Sequence, residues 1–165
     1  MKVIVSDMGG VLYSFDSTFD PIVHEENFSH AIEALGKKGL STKEQLEGEW
    51  LAVKSGRLVV YPQVEGVSNL LASLNKFKLV IVSTSLVKTS NLILQKVGLG
   101  GKAWKVFDMS DFGSKKDPEA WKKIFQTLPS IDVIAEDSDK NLAAAAQAAV
   151  DLGFKPQTFT EMSLL

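Results

Sequence analysis

The stretch Val3-Ile4-Val5-Ser6-Asp7-Met8-Gly9-Gly10-Val11-Leu12 decides how this chain folds. A short, β-branched apolar run with no polar alternation reads as a strand buried on both faces of a parallel sheet. It ends on a carboxylate, Asp7, followed by two glycines where the chain must turn tightly. Two further runs repeat the pattern. Leu79-Val80-Ile81-Val82 leads into Ser83-Thr84-Ser85, and Ile131-Asp132-Val133-Ile134-Ala135 leads into Glu136-Asp137-Ser138. Open α/β sheets bind ligands at the carboxyl ends of their strands. Asp7, Ser83 and Asp137 are therefore expected to meet in one site although they lie far apart in the chain.

Helical patterns separate these runs. Val67, Leu70, Leu71 and Leu74 predict a helix, and Lys78 to Ser83 a strand. Leu86 to Val97 is helical and is stopped by Gly98, Gly100 and Gly101; Trp104 to Phe107 is a short strand. Asp117-Pro118-Glu119 opens a helix with an N-cap and a proline at the first position, and its apolar face is Trp121, Ile124, Phe125 and Leu128. Ile131 to Glu136 is a strand, Leu142 to Leu152 an alanine-rich helix ended by Gly153, and Phe154 to Phe159 a last strand. Alternating strands and helices give an α/β fold, a doubly wound parallel sheet.

The segment from Tyr13 to Val60 breaks this rhythm. It is polar and its periodicity is helical. Ile22, Val23, Phe28, Ile32 and Leu35 fit one apolar stripe of a helix ending near Gly36 to Gly39. Ser41-Thr42-Lys43-Glu44 has the form of a capping box, and Leu46, Trp50 and Val53 continue a second helix. The expected organisation is an α/β core of residues 1–12 and 61–165, with a small α-helical cap of residues 13–60 inserted after the first strand. The cap is too small for a large core of its own and is expected to lie over the mouth of the sheet as a lid.

Composition narrows the function classes. At 165 residues, 45% hydrophobic and 23% charged, the chain has an ordinary globular balance. A net charge of −2 suggests neither a nucleic-acid groove nor an anionic membrane as partner. There is no cysteine, so disulfides, thiolate chemistry and a Cys-based zinc site are excluded; the two histidines, His24 and His30, are too few for a histidine cage. The opening apolar run is too short for a signal peptide or a membrane span. A cytoplasmic protein, monomer or homodimer, acting on a small molecule is expected.

Each candidate group has a plain alternative when taken alone. Asp7 at a strand end is a nucleophile, a metal ligand or a cap on loop amides; Gly9 and Gly10 let the backbone approach a ligand or simply turn the chain. Ser83 and Thr84, just before a helix, form a phosphate cradle or an N-cap. Asp137 opens an acidic loop suited to Mg²⁺, or one that is merely solvated. In Gly113-Ser114-Lys115-Lys116-Asp117-Pro118 a lysine precedes a capped helix, and spacing alone does not choose between Lys115 and Lys116.

Together these segments resemble the haloacid dehalogenase-like (HAD) hydrolase superfamily, in the subgroup with a small helical cap. Asp7 to Leu12 is similar to the first motif, Ser83 to the second, Gly113 to Pro118 to the third and Glu136 to Asn141 to the fourth; Tyr61-Pro62-Gln63-Val64 resembles the return from cap to core. The resemblance implies a HAD-like Rossmannoid core and a Mg²⁺-dependent phosphatase of a small phosphorylated metabolite. It selects Lys115, with Lys116 where proline is usual. It makes Asp7 the nucleophile that forms an aspartyl-phosphate, places Mg²⁺ between the Asp7 carboxylate, the Gly9 carbonyl and Asp137, and gives the phosphoryl oxygens to Ser83, Thr84, Lys115 and the backbone at Gly10.

One position departs from the pattern. Family phosphatases usually carry a second aspartate two residues after the nucleophile as the general acid and base; here that position is Gly9. Loss of a general acid costs roughly a hundred- to ten-thousand-fold. Asp16 and His24 are the candidate substitutes. Two alternative functions follow from Gly9: a catalytically impaired phosphate- or metabolite-binding protein, and a metal-independent hydrolase of the haloacid dehalogenase type.

Overall fold

The structure is a computed structural model and describes residues 1–36 and 39–165. Five parallel strands form the central sheet: β1 (Lys2–Ser6), β4 (Phe77–Ser83), β5 (Ala103–Asp108), β6 (Val133–Ala135) and β7 (Gln157–Phe159), in the spatial order β5-β4-β1-β6-β7. β1 sits at the centre, with Val5 paired to Val80 on one side and to Ile134 on the other. The chain builds outward from β1 through β4 and β5, then returns to add β6 and β7 on the opposite side. This reversal opens a crevice between the carboxyl ends of β1 and β6, where such sheets bind ligands. Asp7 and Asp137 follow these two strands.

The period-two alternation of the strands feeds two apolar layers. Ile4, Leu79 and Ile81 pack on one face against Val67 and Leu70 of α3 (Val64–Ser73) and Ile93 and Leu94 of α4 (Val87–Lys96). Val3, Val5, Val80 and Val82 face the other way, against α5 (Pro118–Phe125) and α6 (Asp139–Asp151). The alanine face of α6, Ala144, Ala145, Ala148 and Ala149, is buried and lets that helix lie close to the sheet. Trp121 of α5 is buried there as well; deleting a core side chain of this size costs roughly 3–5 kcal/mol.

The cap is entered and left through a two-strand ladder. β2 (Tyr13–Ser14) pairs antiparallel with β3 (Tyr61–Pro62), Tyr13 opposite Pro62. Two helices follow, α1 (Pro21–Glu33) and α2 (Thr42–Ser55). Asp20 caps α1 by accepting from the Ile22 and Val23 amides, and Pro21 fills its first position. The Ser41–Glu44 capping box of α2 is present with both reciprocal bonds. Gly48 lets the two helices meet, because a Cβ there would stand 2.6 Å from Leu35 Cδ1.

The expected apolar stripe of α1 is corrected. Ile22 is 69% exposed and Leu35 is at the surface; the helix buries Ala31 and Ile32, because only its carboxyl-terminal half packs on α2. On α2 the buried face is Gly48, Glu49, Ala52 and Val53, while Trp50 is half-buried beneath the ammonium groups of Lys54 and Lys88. The expected end of α1 near Gly36 to Gly39 includes residues 37–38, outside those described; the helix itself ends at Glu33. Among the described residues no helix is long and apolar enough to cross a membrane.

Candidate active site

The ends of β1 and β6 are locked together by the Asp7 amide, which donates to the Ala135 carbonyl at 2.8 Å. That bond sets Asp7 beside Glu136 and Asp137. The ammonium of Lys115 lies between two of these groups, 2.7 Å from Asp7 Oδ1 and 2.8 Å from Glu136 Oε2. All three are removed from solvent: Glu136 is 1% exposed, Lys115 7% and Asp7 9%. Lys115 is held from behind, since the indole N–H of buried Trp121 donates to its carbonyl at 2.8 Å. The Met8 amide donates to Asp7 Oδ1 at 2.7 Å, so this oxygen is gripped by two donors.

Asp7, Glu136 and Asp137 each offer a carboxylate oxygen within 4.8 Å of the others. Three carboxylates against one ammonium leave two negative charges when all are ionised. Burial, and then the charge of Asp7, push Glu136 up to about 8 and Asp137 up to about 6. Burial pulls the Lys115 ammonium down, but Asp7 and Glu136 outweigh it and hold it above its ordinary value. The cost of charging these acids side by side is relieved by a cation, and hard oxygen donors of this kind suit a divalent one such as Mg²⁺. The fit includes Gly10, whose φ is +79° and where any Cβ would collide with the Asp137 carboxylate.

The candidates from the sequence largely converge. Asp7, Gly9, Gly10, Ser83, Thr84, Lys115 and Asp137 line one cleft of about 850 Å³, which His24, Phe28 and Glu49 of the cap also line. Ser83 is buried and its hydroxyl accepts from the Ser85 amide at 3.1 Å; Thr84 is exposed at the rim. Lys115 rather than Lys116 faces the site, and Lys116 is exposed. The Gly10 amide donates to the Tyr13 carbonyl at 2.8 Å, and its missing side chain leaves room for the Asp137 carboxylate. Asp16 accepts from the Thr18 hydroxyl and the Asp20 amide and so braces the start of the cap.

Sequence reasoning assigned no role to Glu136, Tyr13 or Glu49. Glu136 had a signal, a second acid at the very end of an apolar strand. Tyr13 is buried against Gly9, and burial, then Glu49 and Asp7, raise its phenol well above the ordinary value. Glu49 lies one turn before Ala52 and Val53 on the buried face of α2. It is 5% exposed, and burial raises its carboxyl while a bond with Ser85 opposes the rise.

No protein-family model matches this chain, and no curated protein matches it. Solved structures do match. An L-2-haloacid dehalogenase from Xanthobacter autotrophicus, with chloropropionic acid covalently bound, is similar at a TM-score of 0.61 and 15% identity, over 94% of this chain and 76% of that one. A HAD-superfamily hydrolase from Ehrlichia chaffeensis is similar at 0.58 and 15% identity, over 98% and 94% of the two chains. A mutant HAD family enzyme from Bacteroides thetaiotaomicron, in complex with magnesium and inorganic phosphate, is similar at 0.56 and 17% identity, over 96% and 93%. A central parallel sheet reversed at β1, helices on both faces and a helical insertion after the first strand give this chain the fold of the haloacid dehalogenase-like hydrolases.

Proposed function

We propose that this protein is a Mg²⁺-dependent hydrolase that removes the phosphoryl group of a small phosphorylated metabolite, with Asp7 as the nucleophile. The observation that carries this reading is the buried Asp7–Lys115–Glu136 bridge beside Asp137 at the sheet's switch point. A merely structural acid at a strand end would not need a buried lysine, a second buried acid and an open cleft above it.

Lys115 and the Met8 amide hold Asp7 Oδ1, which fixes the plane of the carboxylate and leaves Oδ2 to attack phosphorus. Ser83, at the end of β4, and Lys115 both line the cleft and would take the phosphoryl oxygens. Asp7, Asp137 and the Gly9 carbonyl would hold Mg²⁺, with Glu136 beside them. Its chemistry there is to neutralise charge on the phosphoryl group. The cap helices contribute His24, Phe28 and Glu49 to the walls of the cleft and would shield the reacting groups from water. The cluster of three acids around one ammonium favours this reading over a metal-independent attack on carbon, which would have no use for Asp137 as a cation ligand.

The test is turnover of a panel of phosphate compounds with and without Mg²⁺, comparing the parent with Asp7→Asn. Turnover that needs both Mg²⁺ and Asp7 supports the reading. Binding without turnover favours the impaired-binder alternative, and halide release that persists with a chelator favours the dehalogenase alternative.

A further inference from the structure

The cap supplies two groups opposite the place where a general acid is missing. A Cβ on Gly9 would stand 3.8 Å from Tyr13 Oη and 3.9 Å from His24 Nε2. Both residues line the same cleft as Asp7 and Asp137. Any side chain at position 9 would therefore reach toward this pair.

His24 is fixed from behind. The Phe15 amide donates to its Nδ1 at 2.8 Å, Ser14 Oγ lies 3.3 Å from the same nitrogen, and the ring stacks on Phe15 with centroids 4.8 Å apart and planes 7° from parallel. A backbone N–H only donates, so Nδ1 must present its lone pair and carries no proton. The proton of the neutral ring is then on Nε2, the nitrogen facing Gly9. Charging the ring would put a second proton against the Phe15 amide and break that bond. Burial also lowers the basicity of His24, against the pull of Glu25, Asp7 and Asp16. A neutral ring protonated on Nε2 donates a hydrogen bond but does not hand over its proton, because imidazolate is too basic to form at neutral pH.

We infer that Tyr13 Oη–H and His24 Nε2–H form a hydrogen-bond-donating subsite, with neither a carboxyl nor an imidazolium acid in it, for the oxygen that leaves phosphorus, and that the substrates are phosphoryl compounds whose leaving group departs as a stable anion. Acyl phosphates, phosphoanhydrides and aryl phosphates belong to that class; simple alkyl phosphates do not. This rests on the phosphoryl-transfer reading above. In the step, Asp7 Oδ2 forms a bond to phosphorus as the bond from phosphorus to the leaving oxygen breaks. The electron pair stays with that oxygen, which as a carboxylate, phosphate or aryl oxide is too weak a base to deprotonate either donor, so both hydrogen bonds are kept with no proton transferred. An alkoxide leaving group would find there only acids far weaker than a carboxyl, and loss of a matched general acid costs roughly a hundred- to ten-thousand-fold.

Two measurements separate this inference from the reading beneath it. The first is the ¹⁵N spectrum of the His24 ring at about pH 7, which needs no activity. The inference expects the Nε2–H tautomer, and a protonated Nδ1 overturns it. The second is kcat/KM with Mg²⁺ for acetyl phosphate, 4-nitrophenyl phosphate and glycerol phosphate in the parent, His24→Gln and His24→Ala. The alkyl ester is expected at least about a hundredfold slower than the other two. His24→Gln, which keeps an N–H near the Nε2 position, is expected to retain more activity than His24→Ala. Comparable rates for all three substrates, or equal loss in both variants confined to the alkyl ester, would show a working general acid and overturn the inference. No turnover of any phosphoryl compound overturns the phosphatase reading and the substrate class with it, while the spectrum still decides the tautomer.

Discussion

Lys115 Nζ lies 2.7 Å from Asp7 Oδ1, closing 108 residues of chain into one buried ion pair. The same ammonium serves Glu136, so a single cation holds two buried acids in place. Removing it strands the Asp7 charge and leaves Glu136 without its partner. Lys115→Met is expected to cost about 3–5 kcal/mol, the range for breaking a buried pair, and to abolish turnover. Urea denaturation of the two proteins checks the first expectation. A loss under about 1 kcal/mol, the range of a surface pair, would mean the pair is far less buried than the structure has it.

The acidic cluster fixes the sign of the pH dependence without metal. Glu136 at about 8 and Asp137 at about 6 lie above the ordinary carboxylate range, so the folded chain binds more protons than the unfolded one. Their contribution is fully present below the ordinary carboxylate value and is lost as pH rises through about 6 and then about 8. Lys115 does not offset this, because the contribution of a raised ammonium is lost only at still higher pH. Metal-free protein is expected to melt at a lower temperature at about pH 9 than at about pH 6, and Mg²⁺ to restore the difference by binding the ionised cluster. Melting curves across that range with and without Mg²⁺ settle it; a metal-free Tm that rises toward alkaline pH would contradict the cluster.

The two adjacent glycines should respond differently. Gly10→Ala forces a side chain onto the Asp137 carboxylate at a positive φ, and is expected to weaken Mg²⁺ affinity by about tenfold or more, read by calorimetry. Gly9→Ala meets its neighbours only at 3.8 Å and beyond, so its stability should change by under about 0.5 kcal/mol. Gly9→Asp would set a carboxyl between Tyr13 and His24. Its expected effect is to raise turnover of alkyl phosphates relative to aryl phosphates, and an unchanged ratio would count against the absent acid as the limiting feature.

Glu49 is buried in the cap with its Oε1 unpartnered, and burial raises its carboxyl. A raised carboxyl contributes stability at low pH that is lost as pH rises through its folded value. Glu49→Gln does not titrate there, so it should stabilise the protein by roughly 1 kcal/mol at about pH 8 and by little at about pH 5. Denaturation midpoints at the two pH values test this. An equal effect at both would place the Glu49 carboxyl in water.

The core was legible because strands buried on both faces are written as continuous apolar runs, and the chemistry follows directly where each run stops. Asp7, Ser83 and Asp137 were read from that punctuation and do line one cleft. The choice of Lys115 over Lys116 was not in the spacing; it depends on Trp121 turning the loop so that one lysine points inward. The cap was harder. Its two short strands, Tyr13–Ser14 and Tyr61–Pro62, are too brief to show a period and exist because the chain crosses between layers there twice. Ile22 looked like core because helical spacing cannot say how far a neighbouring helix extends. Buried acids such as Glu136 and Glu49 are the hardest of all, since their burial depends on partners that are distant in sequence.

Asp7 as the nucleophile is the central claim, and trapping its adduct tests it most directly. The protein is incubated with acetyl phosphate and Mg²⁺, quenched in acid, digested and analysed by mass spectrometry. One phosphoryl group is expected on Asp7, absent when a chelator replaces Mg²⁺ and absent in Asp7→Asn. Release of phosphate at the parent rate by Asp7→Asn, with no adduct on Asp7 in either protein, would contradict it.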